Sequence, residues 1–171
     1  GAVKKAEALI DGTFLIMSGD LVTDFDISKI LAFHASKKTP VTLTLTSVPN
    51  PLEFGVVITD PEGRILRFLE KPGWGEVFSD TINTGIYVLE PEIFSLIPEG
   101  RPFDFSKDLF PIYMREGIPI YGHNAKGYWR DVGNPDSYRE ASVEILKGHV
   151  KIPFPGARRE HGGGVLWTEK K

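Results

Sequence analysis

The run Leu15-Ile16-Met17-Ser18-Gly19-Asp20 constrains the fold more than any other stretch: a short apolar segment that stops abruptly at glycine and an acid. A buried parallel strand reads this way, and in open α/β sheets ligands bind just beyond such strand ends. A second run, Tyr128-Trp129-Arg130-Asp131-Val132-Gly133, sets another aspartate beside another glycine-marked strand end. If the two ends meet, their carboxylates are hard oxygen ligands, of which a hydrated Mg²⁺ commonly takes one or two beside substrate phosphates. Gly-Asp is equally a turn dipeptide, because glycine supplies positive φ and aspartate caps local N–H groups. Asp20 and Asp131 are therefore candidate metal ligands that need support from the residues between them.

Those residues alternate between strand and helix patterns. Val3, Ala6, Leu9 and Ile10 follow helical spacing from the first residues, and Asp26 can cap a helix with Ile27, Ile30, Leu31 and His34 on one face. Val41 to Val48 alternates apolar residues with Thr42, Thr44 and Thr46, which predicts a strand. Phe54–Thr59 and Arg64–Leu69 flank Asp60-Pro61-Glu62-Gly63, a hairpin signal. Ile82–Leu89 reads as a strand, and Pro91 suits the first turn of a helix through Ile97. Ser106 can cap a helix through Leu109, Phe110 and Tyr113, where Pro111 is tolerable only near the first turn. Ile118–Tyr121 resumes a strand, and Asn134-Pro135 opens a helix through Leu146. This order implies an α/β fold: a mixed, mainly parallel sheet flanked by helices, with an antiparallel hairpin attached.

Composition narrows the function classes. The chain has 171 residues, enough for one domain with a sizeable core. A net charge of −3 carries no basic excess that would suggest nucleic acid. The absence of cysteine excludes disulfides and thiolate metal sites. The apolar runs are too short to span a bilayer and no signal-peptide pattern opens the chain, so a cytoplasmic protein is expected. After Lys147 the text changes to Pro153, Pro155, Arg158-Arg159 and Gly162-Gly163-Gly164, which reads as a linker over residues 148–171.

Further candidates lie between the two aspartates. Glu70-Lys71-Pro72 closes the hairpin strand: a carboxylate suits paired sugar hydroxyls, and an ammonium suits phosphate. A solvated Glu-Lys pair is the plainer reading. In Asn83-Thr84-Gly85, a glycine inside a strand marks a bulge or the close approach of a ligand, and Phe54-Gly55 makes the same suggestion more weakly. Trp129 suits core better than sugar stacking. His34, His123, His149 and His161 show no metal-ligand spacing, and Ser18 has no nucleophile elbow around it. A Gly-rich turn opening a helix, which would hold a phosphate, is absent from the sequence.

Taken in order, Phe14–Asp20, Phe54-Gly55, Phe68-Leu69-Glu70-Lys71-Pro72, Ile82-Asn83-Thr84-Gly85-Ile86-Tyr87 and Tyr128–Gly133 resemble the sugar-1-phosphate nucleotidyltransferases across residues 1–146. The likeness is nearest to the mannose-1-phosphate guanylyltransferase-like branch. It implies a Rossmann-like fold, and a reaction in which a sugar-1-phosphate attacks the α-phosphate of a nucleoside triphosphate. By resemblance Asp20 and Asp131 bind Mg²⁺, Lys71 contacts the sugar phosphate, and Gly55, Glu70, Asn83 and Gly85 line the sugar pocket. The substrates implied are mannose-1-phosphate and GTP. The family's first strand and its G-x-G-T-R-L-x-P loop have no counterpart here, so residues 1–147 are expected to form a partial domain, inactive alone. Self-association into a homo-oligomer, or rescue by a missing N-terminal segment, is then expected. Residues 148–171 are expected to be a linker or a remnant of the entry to a β-helix. A non-catalytic regulatory or assembly module is the alternative.

Overall fold

The structure is a computed structural model that describes residues 2–70, 73, 75, 79–151, 156–161 and 164–169. The chain divides into two compact units, Gly1–Met17 with Ile27–Ala125, and Ser18–Asp26 with Lys126–Lys171.

The first unit is built on strands β1 (Phe14–Met17), β3 (Val41–Ser47), β4 (Gly55–Thr59), β5 (Ile65–Glu70), β6 (Thr81–Leu89) and β7 (Tyr121–Asn124). They form one sheet in the order β5-β4-β6-β3-β7, with β1 also paired to β6. The mixed α/β architecture is the one the alternating pattern implies. Strand direction differs from the mainly parallel expectation: β6 runs antiparallel to β1, β3 and β4, and among the described residues only β3–β7 is a parallel ladder. The hairpin is also part of the main sheet, joined through Val56 opposite Ile82. Alternation of apolar and polar residues reports which face is buried and carries no information on strand direction.

Period two explains the packing of β3. Val41, Leu43 and Leu45 enter a core with Tyr87, Leu89, Ile93, Phe94, Leu109, Phe110 and Tyr113. Thr42 faces the other way, towards helix α2 (Ile27–Lys37). There the buried His34 bonds Thr42 Oγ1 at 2.8 Å through Nδ1 and Glu90 Oε1 at 3.0 Å through Nε2. This is the satisfied, structural histidine that the lack of ligand spacing suggested.

Several boundaries shift. The opening helix α1 is short (Ala2–Lys5) and is followed by a 3₁₀ turn, Glu7–Leu9, with Leu9 exposed. The strand expected over Ile118–Tyr121 begins only at Tyr121. Ser106 is not a helix cap: Asp104 caps a π-turn over Phe105–Leu109 by accepting a hydrogen bond from Lys107 N at 2.9 Å. Helix α3 (Phe110–Arg115) follows with Pro111 in its first turn, where its missing N–H costs no hydrogen bond.

The second unit pairs β2 (Leu21–Thr23) antiparallel with β8 (Trp129–Asp131), Leu21 standing opposite Asp131. Asn134 caps helix α4 (Pro135–Lys147) by accepting from Ser137 N at 2.9 Å, with Pro135 in its first turn. Both sequence signals act as read. Asp24 is a tie rather than a free acid, accepting from Tyr128 N at 2.6 Å and from Lys151 N at 3.0 Å. Within the expected linker, β9 (Gly156–His161) and β10 (Gly164–Glu169) pair as antiparallel strands.

Candidate functional site

Asp20 and Asp131 both lie in the second unit, and its pairing brings them together. Asp20 is exposed in the turn before β2, and Asp131 closes β8. The ladder continues past Leu21–Asp131, with Val132 N donating to Asp20 O at 2.8 Å. Gly133 N in turn donates to Asp131 Oδ1 at 2.8 Å, orienting that carboxylate. A Cβ on Gly133 would stand 2.9 Å from Asp131 Oδ1 and 3.6 Å from Asp20 Oδ2. Both carboxylates therefore converge on one small space that glycine leaves open.

This donor set fits a hydrated Mg²⁺. One or two carboxylates are what such an ion takes from a protein when phosphates and water complete its shell. Among the described residues there is no cluster of three or more acidic or histidine ligands, which would suit a fully protein-coordinated metal instead.

Arg130, on the opposite pleat from Asp131, braces β8 to α4. Its Nε donates to Tyr128 Oη at 3.0 Å and lies 3.4 Å from Glu144 Oε2, while its Nη1 pairs with Glu140. The Tyr128 hydroxyl also donates to Glu144. Burial first, and then the Glu144 carboxylate, push the Tyr128 pKa up to about 12 against the opposing pull of Arg130. The sequence run Tyr128–Gly133 contains Tyr128, Arg130 and Gly133 without revealing these roles, and Glu144 was not singled out. A detectable signal existed for the brace, because Glu140 and Glu144 share a helix face at i, i+4 spacing and Tyr128 and Arg130 stand two residues apart in a strand-like run.

The first unit holds the remaining candidates. Gly55 is paired with Glu70, and Val56 with Ile82, so the register sets Glu70, Gly55 and Asn83 in one row across β5, β4 and β6. The bulge foreseen at Asn83-Thr84-Gly85 is present. Between Leu43–Tyr87 and Leu45–Asn83 the ladder fits three residues of β6 against Thr44 alone. Gly85 has φ +77°, a conformation that L-residues rarely adopt, which explains the glycine. Asn83 Oδ1 accepts from Gly85 N at 3.1 Å, and Asn83 Nδ2 donates to Tyr87 Oη at 2.8 Å and Ser106 Oγ at 3.4 Å. Glu70 ends β5, as the following proline requires, while Lys71 lies outside the described residues. Trp129 is half-buried within β8.

With this geometry in view, comparison with known proteins identifies the class. The family described as Nucleotidyl transferase matches residues 1–148. The chain belongs to that family. It is 37% identical over 162 residues to the UTP–glucose-1-phosphate uridylyltransferase of Synechocystis sp., covering 91% of this chain and 42% of the relative. It is 35% identical over 167 residues to the mannose-1-phosphate guanylyltransferase of Mycobacterium tuberculosis, covering 97% of this chain and 45% of the relative. The chain thus spans less than half the length of these curated relatives. Among solved structures, a putative glucose-1-phosphate thymidylyltransferase from Bacillus anthracis, in complex with a sucrose, shares the fold. Its TM-score is 0.73 at 24% identity, over 90% of this chain and 61% of that one. Among the described residues no helix is long and apolar enough to cross a membrane.

Proposed function

We propose that this chain carries the sugar-phosphate and metal-binding residues of a sugar-1-phosphate nucleotidyltransferase. The observation that carries the reading is the convergence of Asp20 and Asp131 on the space at Gly133. Family membership and the relatives' activities on glucose-1-phosphate and mannose-1-phosphate support it.

In the reaction, an oxygen of the sugar-1-phosphate attacks the α-phosphorus of a nucleoside triphosphate. The new P–O bond forms as the bond to pyrophosphate breaks, and pyrophosphate leaves with the electron pair. Mg²⁺, when bound, neutralises charge at the α-phosphate. Asp20 and Asp131 would hold that ion. Lys71 neutralises the sugar phosphate, and Glu70, Gly55, Asn83 and Gly85 present hydrogen-bonding groups to the ring hydroxyls. Catalysis of this kind is mainly positioning and electrostatics. Mannose-1-phosphate with GTP is the substrate pair we favour, on the motif likeness and the mannose-specific relatives. Among the described residues no glycine-rich turn opens a helix to hold a triphosphate, and the activity we propose for this chain by itself is low. The compartment proposed is the cytoplasm.

Calorimetry with mannose-1-phosphate and glucose-1-phosphate, in Mg²⁺, tests the reading by binding alone. Lys71→Ala should weaken both ligands alike. Glu70→Ala should cost about 1–3 kcal/mol and blur the distinction between the two epimers. No saturable binding of either sugar phosphate, or equal losses in both variants without change in selectivity, would contradict it.

A further inference from the structure

Asn83 has few ways left to bind anything. A carboxamide offers two N–H donors and one oxygen with two lone pairs. Which end is oxygen is settled here by the backbone: Gly85 N–H can only donate, so the atom 3.1 Å from it is Oδ1. The two amide hydrogens then point to Tyr87 Oη at 2.8 Å and Ser106 Oγ at 3.4 Å. Among the described residues, one lone pair of Oδ1 is the capacity that remains.

The two acceptors are themselves held. Tyr87 is 7% exposed, and its ring meets Phe105 and Phe110 edge-on, with centroids 5.7 and 5.3 Å away. Ser106 sits on the π-turn over Phe105–Leu109, which Asp104 closes by its bond to Lys107 N and Asp108 by accepting from Asp104 N at 2.7 Å. Single π-turns are uncommon and recur at functional sites. Here the turn carries a hydroxyl to β6 that an N-capping serine would have directed to its own helix.

We propose that Tyr87 and Ser106 are positioning residues that lock the Asn83 carboxamide with its carbonyl oxygen as the sole group offered to a ligand, so that the ligand group recognised there is a hydroxyl acting as donor. This rests on the assignment of Asn83 to the sugar pocket. It deepens that assignment by fixing the polarity of one contact. A ring hydroxyl satisfies it, whereas a fluorine in the same place, which cannot donate, does not.

Two measurements test the lock and its consequence separately. In the ¹⁵N-labelled chain without ligand, the Asn83 side-chain amide is identified by its loss in Asn83→Ala. Its hydrogens should exchange slowly with solvent, and Tyr87→Phe or Ser106→Ala should speed exchange at least tenfold, with Ser106→Thr restoring protection. Unchanged exchange in both Tyr87→Phe and Ser106→Ala would overturn the lock. Then a panel of deoxy and deoxyfluoro analogues of mannose-1-phosphate is titrated. At one ring position both replacements should lose tenfold or more in affinity, the loss should vanish in Asn83→Ala, and Tyr87→Phe should reduce it. A position where fluorine is tolerated but deoxygenation is not, with that difference abolished in Asn83→Ala, would show Asn83 donating and overturn the proposal. If no sugar phosphate binds the native chain, the pocket assignment fails, and the exchange experiment still decides the lock.

Discussion

Gly133 leaves open the space that Asp20 and Asp131 share. An alanine there would set a methyl carbon 2.9 Å from Asp131 Oδ1, closer than such atoms approach without one of them moving. Its φ is not among the positive values, so the substitution tests space rather than backbone strain. Gly133→Ala should lower affinity for Mn²⁺, used as a paramagnetic substitute for Mg²⁺, by about tenfold or more, with circular dichroism unchanged. Wild-type affinity in that variant would show that the carboxylates do not work through this space. The two acids were legible in the sequence because each follows or precedes glycine at the end of an apolar run. The role of Gly133 was not, because the carboxylate it faces across the ladder comes from a residue more than a hundred positions away. Asp24 illustrates the converse: another acid near a strand end, it spends both oxygens on backbone N–H groups.

At the scale of elements, local signals read true where the partner is local. Asn134-Pro135 opens α4 as its sequence predicts, and Asp60-Pro61-Glu62-Gly63 makes the hairpin turn, with Gly63 at φ +84°. Ser106 failed as a cap because Asp104, two residues earlier, takes that place and frees Ser106 to face Asn83. Asp104→Ala should therefore destabilise the first unit by about 1 kcal/mol in urea unfolding, and Ser106→Ala by less. An equal cost for both would restore the cap to Ser106. Two tyrosines, one in each unit, also leave a signature at high pH. Burial, followed by Glu92 and Glu116, pushes Tyr113 up to about 12, and Tyr128 reaches about 12 beside Glu144. Tyrosine in the unfolded chain ionises near pH 10. Between roughly pH 10 and 12 the unfolded chain then holds fewer protons than the folded one, so stability falls as pH rises through that window and is complete below it. Phenolate absorbance should show a late-ionising group among the five tyrosines, and the urea midpoint should drop from pH 9 to pH 11. A single transition near pH 10 with a constant midpoint would contradict the burial of both rings.

For the whole molecule, the alternation of strands and helices gave the α/β class, and the motif order gave the family that residues 1–148 match. Strand direction was hidden, since β6 carries the same apolar alternation whether its neighbours run with it or against it. The β9–β10 pairing was masked by a composition of proline, arginine and glycine that also describes linkers. The second unit draws Asp20 and Asp131 from segments at opposite ends of the chain into one antiparallel ladder, and on that pairing the functional reading depends. Titration of the chain with Mn²⁺, followed by loss of the free-ion electron paramagnetic resonance signal, tests it most directly. Saturable binding at a single site is expected, lost in Asp20→Asn and equally in Asp131→Asn, with both variants folded. Undiminished binding in either variant would contradict it.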